Sequence, residues 1–237
     1  MRRNGTTGPR SDVSGRAYAG SQRLIQHYVN IETDSLNRAI EGTFGCQFGP
    51  RWVSPLESDG YREYKDREFL TATGLCQYQN QLSEFWPNGG PRWDALARVE
   101  SGGGGVLLVE AKSHIPEMYA GKCKATSAIS LQMIDSSISR AKNWLAVDNA
   151  INWLGQYHYS YKGQMRSGSL YQMANRIAHL YFLREILGIN AWFVNLCFID
   201  DPHSPTAQTE WNLGLAEAKK NMGIAAVPFA ADVFLPA

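Results

Sequence analysis

Asp94, Glu110 and Lys112 are the residues whose types and spacing point most directly to chemistry. Asp94 closes the run Pro91-Arg92-Trp93-Asp94, and Glu110-Ala111-Lys112 follows sixteen positions later, beyond a glycine-rich turn. Two carboxylates and a lysine so arranged suit a divalent-metal site that cleaves phosphodiester bonds.

The elements that must bring them together can be read from the same stretch. Ser101 precedes four consecutive glycines, 102–105, a strong turn signal. Residues 106–112, Val-Leu-Leu-Val-Glu-Ala-Lys, read as a buried strand with a polar end, and residues 92–100 as its partner. With the hairpin centred on residue 102, Asp94 falls opposite Glu110. Side chains alternate faces along a strand, so Asp94, Glu110 and Lys112 share one face. Opposed residues have Cβ atoms roughly 5 Å apart. Two carboxylates at that range repel unless a positive charge lies between them, and a hard cation such as Mg²⁺ prefers oxygen ligands. A slip of one residue would turn Asp94 to the other face.

On this reading Asp94 and Glu110 hold Mg²⁺ or Mn²⁺, with the Ala111 carbonyl as a third ligand. The metal lowers the pKa of a bound water and stabilises charge on the scissile phosphate. Lys112 orients or deprotonates that water, or neutralises the developing phosphorane. The plainer alternative is a hairpin whose charged end is held by a Glu–Lys or Asp–Lys ion pair.

Asp94, Glu110 and Lys112, with Ala111 at the variable position, resemble the signature of the PD-(D/E)XK, or restriction-endonuclease-like, nuclease superfamily. Three segments are similar to a group of uncharacterised bacterial members: 85–96, 108–114 and 174–183. The resemblance covers roughly residues 61–200. The proline stands three residues before Asp94 rather than next to it, a position that varies in the superfamily. The resemblance implies an α/β fold whose core runs helix, three-stranded antiparallel hairpin region, helix, strand, with extra N- and C-terminal helices. It implies a metal-dependent nuclease cutting DNA ahead of RNA, with Mg²⁺ or Mn²⁺ as cofactor, and it leaves a homodimer open. Some members have lost activity, so a silent fold that binds nucleic acid or protein is the alternative.

Many members carry a further acid on the first core helix, for which residues 61–75 are the candidate. At about 100° per residue, Tyr61, Tyr64, Glu68, Ala72 and Leu75 share a face and Glu63 falls opposite. An acid in an apolar stripe needs a partner, which favours Glu68 as a third metal-site acid; pairing with Lys65 or Arg67 is the alternative. Glu84, in a strand-like 82–86, is a weaker substitute. A later helix, 170–187, places Gln172, Arg176 and His179 on one face. By the resemblance, Gln172, Asn175 and Arg176 bind substrate phosphate or position the water, and arginine suits phosphate through bidentate hydrogen bonds. The other reading is a solvated polar face. His179 reads as a core histidine, and His114 as a residue that lines the site mouth.

The whole chain sets bounds on these readings. Its 237 residues, 44% hydrophobic, suffice for one large α/β domain, expected over 21–237 after a flexible tail at 1–20. A net charge of +1 excludes a globally basic nucleic-acid binder, so affinity must come from local patches. Arg51, Arg62, Lys65, Arg67, Lys122, Lys124, Arg140 and Lys142 are the candidates, with Arg2, Arg3 and Arg10 in the tail. Cys46, Cys76, Cys123 and Cys197 form no Cys-x-x-Cys or Cys/His cluster, which argues against structural zinc or an iron–sulfur cluster. The absence of a signal peptide or an apolar run near 18 residues makes a cytoplasmic, membrane-free setting the expectation. Helices are expected at 21–30, 34–44, 126–147 and 209–222, a loop at 155–169, a buried strand at 191–199 and an edge strand at 233–235.

Overall fold

The computed structural model describes residues 11–237, which form a mixed five-stranded sheet between two layers of helices. Arg2, Arg3, Arg10 and the first half of the expected tail lie outside the described residues. Strands β1 (Pro50–Ser54), β2 (Ala95–Val99) and β3 (Gly105–Lys112) pair antiparallel in that order. Strands β6 (Ala191–Ile199) and β7 (Ala230–Pro236) continue the sheet parallel to β3. The three antiparallel strands are present, with β1 ahead of the first core helix.

Alternation along the buried strands assigns the two faces. Val106 and Leu108 of β3 join Phe193 of β6 in one core; Leu107, Val109 and Ala111 join Val194 and Leu196 in the other. The first face is covered by α3 (Asp66–Thr73), α4 (Gln79–Phe85), α6 (Ala128–Trp144), α7 (Tyr171–Tyr181) and α8 (Gln208–Met222). Helices α1 (Gly20–Asn30) and α2 (Thr33–Phe44) cover the second. Glu110 and Lys112 have the parity of Val106 and Leu108, so they point to the α6–α7 side at the carboxyl end of β3.

Several expected elements differ. Residues 61–65 are not helical: Tyr61 and Asp66 adopt positive φ (55° and 48°), and the amide of Trp93 donates to the Tyr64 carbonyl at 3.0 Å. That bond holds the segment extended, and the helix starts only at Asp66. Residues 79–85 are helical, with Leu82 and Phe85 buried three apart, because a short apolar run fits helix and strand alike. Residues 155–169 contain a hairpin, β4 (Tyr157–Tyr161) and β5 (Gln164–Gly168), turned by Lys162 and Gly163 with φ 48° and 71°. The later helix ends at Tyr181 and passes into a π-turn over Phe182–Ile186. Residues 11–19, counted with the tail in the sequence, form a closed turn bridged Ser11 to Ala17 and tied to α1 by Gln26. Among the described residues no helix is long and apolar enough to cross a membrane.

Candidate functional site

The β2–β3 register decides whether the site exists. Ala95 pairs with Val109 and Val99 with Gly105, a hairpin symmetric about residue 102. Asp94 lies one step beyond β2, its amide donating to the Val109 carbonyl at 3.2 Å. Asp94 and Glu110 line the same cleft, near enough for the Glu110 charge to act on Asp94. The Asp94 carboxylate Oδ2 accepts the Ala111 N–H at 2.7 Å, so the ladder ends on a side chain rather than a backbone carbonyl. Gly105, at φ 150°, completes the turn where a Cβ would stand 2.3 Å from the Asn190 carbonyl oxygen.

Glu110 is 4% exposed and is gripped from both sides. Lys112 Nζ donates to Oε1, and Arg176 Nε donates to Oε2 at 2.7 Å. Arg176 comes from α7, where Ala174, Ile177 and Ala178 bury one face and carry the guanidinium beneath the cleft. It also donates to Asn175 Oδ1 at 2.7 Å and to the Arg92 carbonyl at 2.8 Å, and lies over the Trp93 ring. Burial raises the Glu110 pKa, but Arg176 and Lys112 together bring it below the ordinary value. Burial lowers that of Lys112, and Glu110 with Asp94 more than restores it.

Asp94 is the counter-case. Burial and the neighbouring Glu110 charge push its carboxyl well above the carboxylate range, against the pull of Lys112 and the Ala111 N–H. Among the described residues it has no ion-pair partner. A cation would favour the ionised form.

These groups form the floor of a cleft of about 860 Å³. One wall is the loop from Trp86 to Arg92, held by Asp66, whose carboxylate accepts the Gly89 and Gly90 amides at 3.1 and 2.8 Å. The other runs through Lys122, Lys124 and Ser127 to Ser130 at the start of α6. Gln172 lies on this side, with a Gly121 Cβ position 3.3 Å from its amide nitrogen, and its Oε1 is buried without a partner.

Several expected site residues stand elsewhere. Glu68 is exposed and pairs with Arg62 at 3.1 Å, because the helix starts late and turns it outward. Glu63 takes the place expected of Glu68: the extended segment puts Glu63 on the cleft, its carboxyl raised by burial against the pull of Arg92. A helix-start signal in the sequence, Asp66 ahead of Phe69 and Leu70, is the clue that releases Glu63 from the helical wheel. Glu84 is exposed on α4. Arg176 and Asn175 line the cleft but are engaged with Glu110 and each other, so they are buttresses rather than free phosphate binders. His114 is not on the cleft; it sits before the short helix α5 (Ile115–Met118), 3.2 Å from Ser113 Oγ. His179 is a core residue among Phe85, Trp86 and Trp93, its Nδ1–H donating to the Asn175 carbonyl at 2.8 Å, its pKa lowered by burial to about 3. Of the basic candidates, Lys122 and Lys124 reach the cleft. Lys142 is buried against the Asn149 and Ile151 carbonyls, and Arg51 pairs with Glu100.

The acids on the cleft carry oxygen donors only. Asp94, Glu110 and Glu63 offer carboxylate oxygens to the cleft, beside Ala111. Among the described residues no group of three or more His, Cys, Asp or Glu side chains is gathered tightly enough to hold a metal unaided. Mg²⁺ is ordinarily held by one or two carboxylates, with waters and substrate phosphates completing the shell. The residues present fit that ion and do not fit a protein-caged zinc. Comparison with protein-family models, curated proteins and solved structures finds no match.

Proposed function

We propose that this chain is a divalent-metal-dependent nuclease of the restriction-endonuclease-like, PD-(D/E)XK kind, hydrolysing phosphodiester bonds in DNA ahead of RNA. The observation that carries the reading is the convergence of Asp94, Glu110 and Lys112 on the floor of a cleft whose wall bears Lys122 and Lys124. The antiparallel β1–β2–β3 unit followed by parallel β6 supports the same core.

Asp94 and Glu110, with the Ala111 carbonyl, would hold Mg²⁺ or Mn²⁺. When bound, the ion supplies charge neutralisation at the phosphate and a water of lowered pKa. Lys112 keeps its proton between two carboxylates, so it acts as a fixed cation that orients water or phosphate rather than as a base. Arg176 fixes Glu110, leaving Gln172, Lys122 and Lys124 to bind the substrate backbone.

Purified protein should cut DNA in Mg²⁺ or Mn²⁺ on a panel of single-stranded, double-stranded and branched substrates. Asp94→Ala and Lys112→Ala should abolish cutting with the fold retained by circular dichroism. Cutting that persists equally in Asp94→Ala would sink the assignment.

A second reading, a silent nuclease-like fold that binds nucleic acid or protein, draws on one observation. Both Glu110 oxygens are already engaged by Lys112 and Arg176. It predicts binding unchanged by chelator and no turnover.

A further inference from the structure

Glu63 is an acid on the cleft that lies in no helix or strand. It sits in the extended stretch between Tyr61 and Asp66, and its aim must be set by neighbours. Gln22 on α1 provides that contact: its Nε2 donates to Glu63 Oε1 at 3.1 Å. Arg92 donates to the Glu63 carbonyl at 3.2 Å, fixing the backbone but not the carboxylate.

Helix α1 clamps the whole approach to Glu63. At its far end Asn30 donates to the Pro55 carbonyl and accepts the Glu57 amide, both at 2.8 Å. Just past its middle Gln26 accepts the Ala17 amide at 2.8 Å and donates to the Gly15 carbonyl at 3.2 Å. Gly15, at φ 86°, lies so close to Gly60 that a Cβ would stand 2.2 Å from the Gly60 carbonyl oxygen. The segment 55–60 is thus fastened along α1 and its preceding turn, and Gln22 fastens the carboxylate itself. Ser21, next to Gln22, lines the cleft.

We propose that Gln22 is a positioning residue: through its bond to Glu63, α1 sets the Glu63 carboxylate beside Asp94 and Glu110 and with it the affinity for a divalent cation. The proposal rests on the metal-site reading above. A residue that orients a carboxylate behind a metal typically changes affinity by about 10–100-fold when lost.

The test measures Mn²⁺ affinity by titration calorimetry in full-length protein, without substrate. Gln22→Leu should weaken Mn²⁺ binding about tenfold, with the melting temperature of the metal-free protein unchanged. Gln22→Glu, which sets a like charge against Glu63, should weaken it further. Glu63→Gln should weaken binding, and Gln22→Leu added to it should do nothing more. Gln22→Leu that binds Mn²⁺ like the parent, or whose effect adds in full to that of Glu63→Gln, overturns the proposal while leaving Asp94-dependent cutting to be judged separately. A parent protein that takes up no Mn²⁺ overturns both this proposal and the metal site.

Discussion

Two ends of a single row across the sheet carry buried charge and resolve it differently. Glu110 on β3 pairs in register with Asn195 on β6, and Asn195 with Asp232 on β7; Asp94, one step beyond β2, stands beside the Glu110 end. At the β7 end, Asn195 Nδ2 and Lys219 Nζ satisfy Asp232, at 2.9 and 2.6 Å. One acid meets one base and one amide, and the group is complete. At the β3 end, Lys112 and Arg176 both close on Glu110, and Asp94 is left beside it with a backbone N–H and no ion pair among the described residues. The complete end has the character of structure. The other end opens on the cleft: its two carboxylates and two cations balance in formal charge, but Asp94 has no ion pair of its own, and on the metal-site reading proposed above a bound cation would supply one.

The largest effect that tests this contrast is the loss of Glu110. Glu110→Ala leaves Lys112 and Arg176, 8% and 4% exposed, without their shared carboxylate. Removing one partner of a buried pair costs about 3–5 kcal/mol. Chemical denaturation should show a loss of that size, and a loss under 1 kcal/mol would mean that the cluster relaxes into water rather than being locked.

Asp94 should behave in the opposite sense. Its carboxyl is raised in the folded protein, so the folded state holds the proton more tightly than the unfolded chain does. Its contribution therefore becomes more unfavourable as pH rises above the unfolded value near 4. Asp94→Asn keeps an acceptor for the Ala111 amide and removes the charge. Without metal the variant should be more stable than the parent at pH 7, and the gap should close as pH falls towards 4. The same variant should lose the Mn²⁺-dependent rise in melting temperature that the parent shows. A variant less stable than the parent at pH 7 would place Asp94 among the satisfied groups and erase the contrast.

The two ends also differ in how far the sequence discloses them. Asp94 and Glu110 are linked by a short hairpin, and its symmetry about the glycine run is enough to pair them by counting. The parallel strand at 191–199 is equally legible, as a run apolar but for Asn195 and buried on both faces. Glu63 and Gln22 are not legible, because they stand 41 positions apart in the chain and their meeting depends on a segment whose extended form is set by Trp93. Arg176 is legible as a helix-face residue but not as the clamp on Glu110, since that contact spans 66 residues. Glu68 misleads for a local reason: left-handed Asp66 delays the helix, and a wheel drawn from Tyr61 rotates the wrong acid inward. Register carried by one turn can be counted; contacts between distant elements cannot.

The complete end supplies the smallest effect and the control. Lys219 and Asp232 are 35% and 19% exposed at their side chains, so water screens their attraction. Pairs of this kind contribute about 0–1 kcal/mol. Asp232→Asn keeps an acceptor for Asn195 and for Lys219 while removing the charge, so thermal denaturation should register less than 1 kcal/mol, with Mn²⁺ affinity unchanged. The row joins Asp232 to Glu110 only through Asn195, whose neutral amide passes on no charge. A change in Mn²⁺ binding in Asp232→Asn as large as that in Asp94→Asn would show that the row acts as one electrostatic unit, and the division between a structural and a functional end would fall.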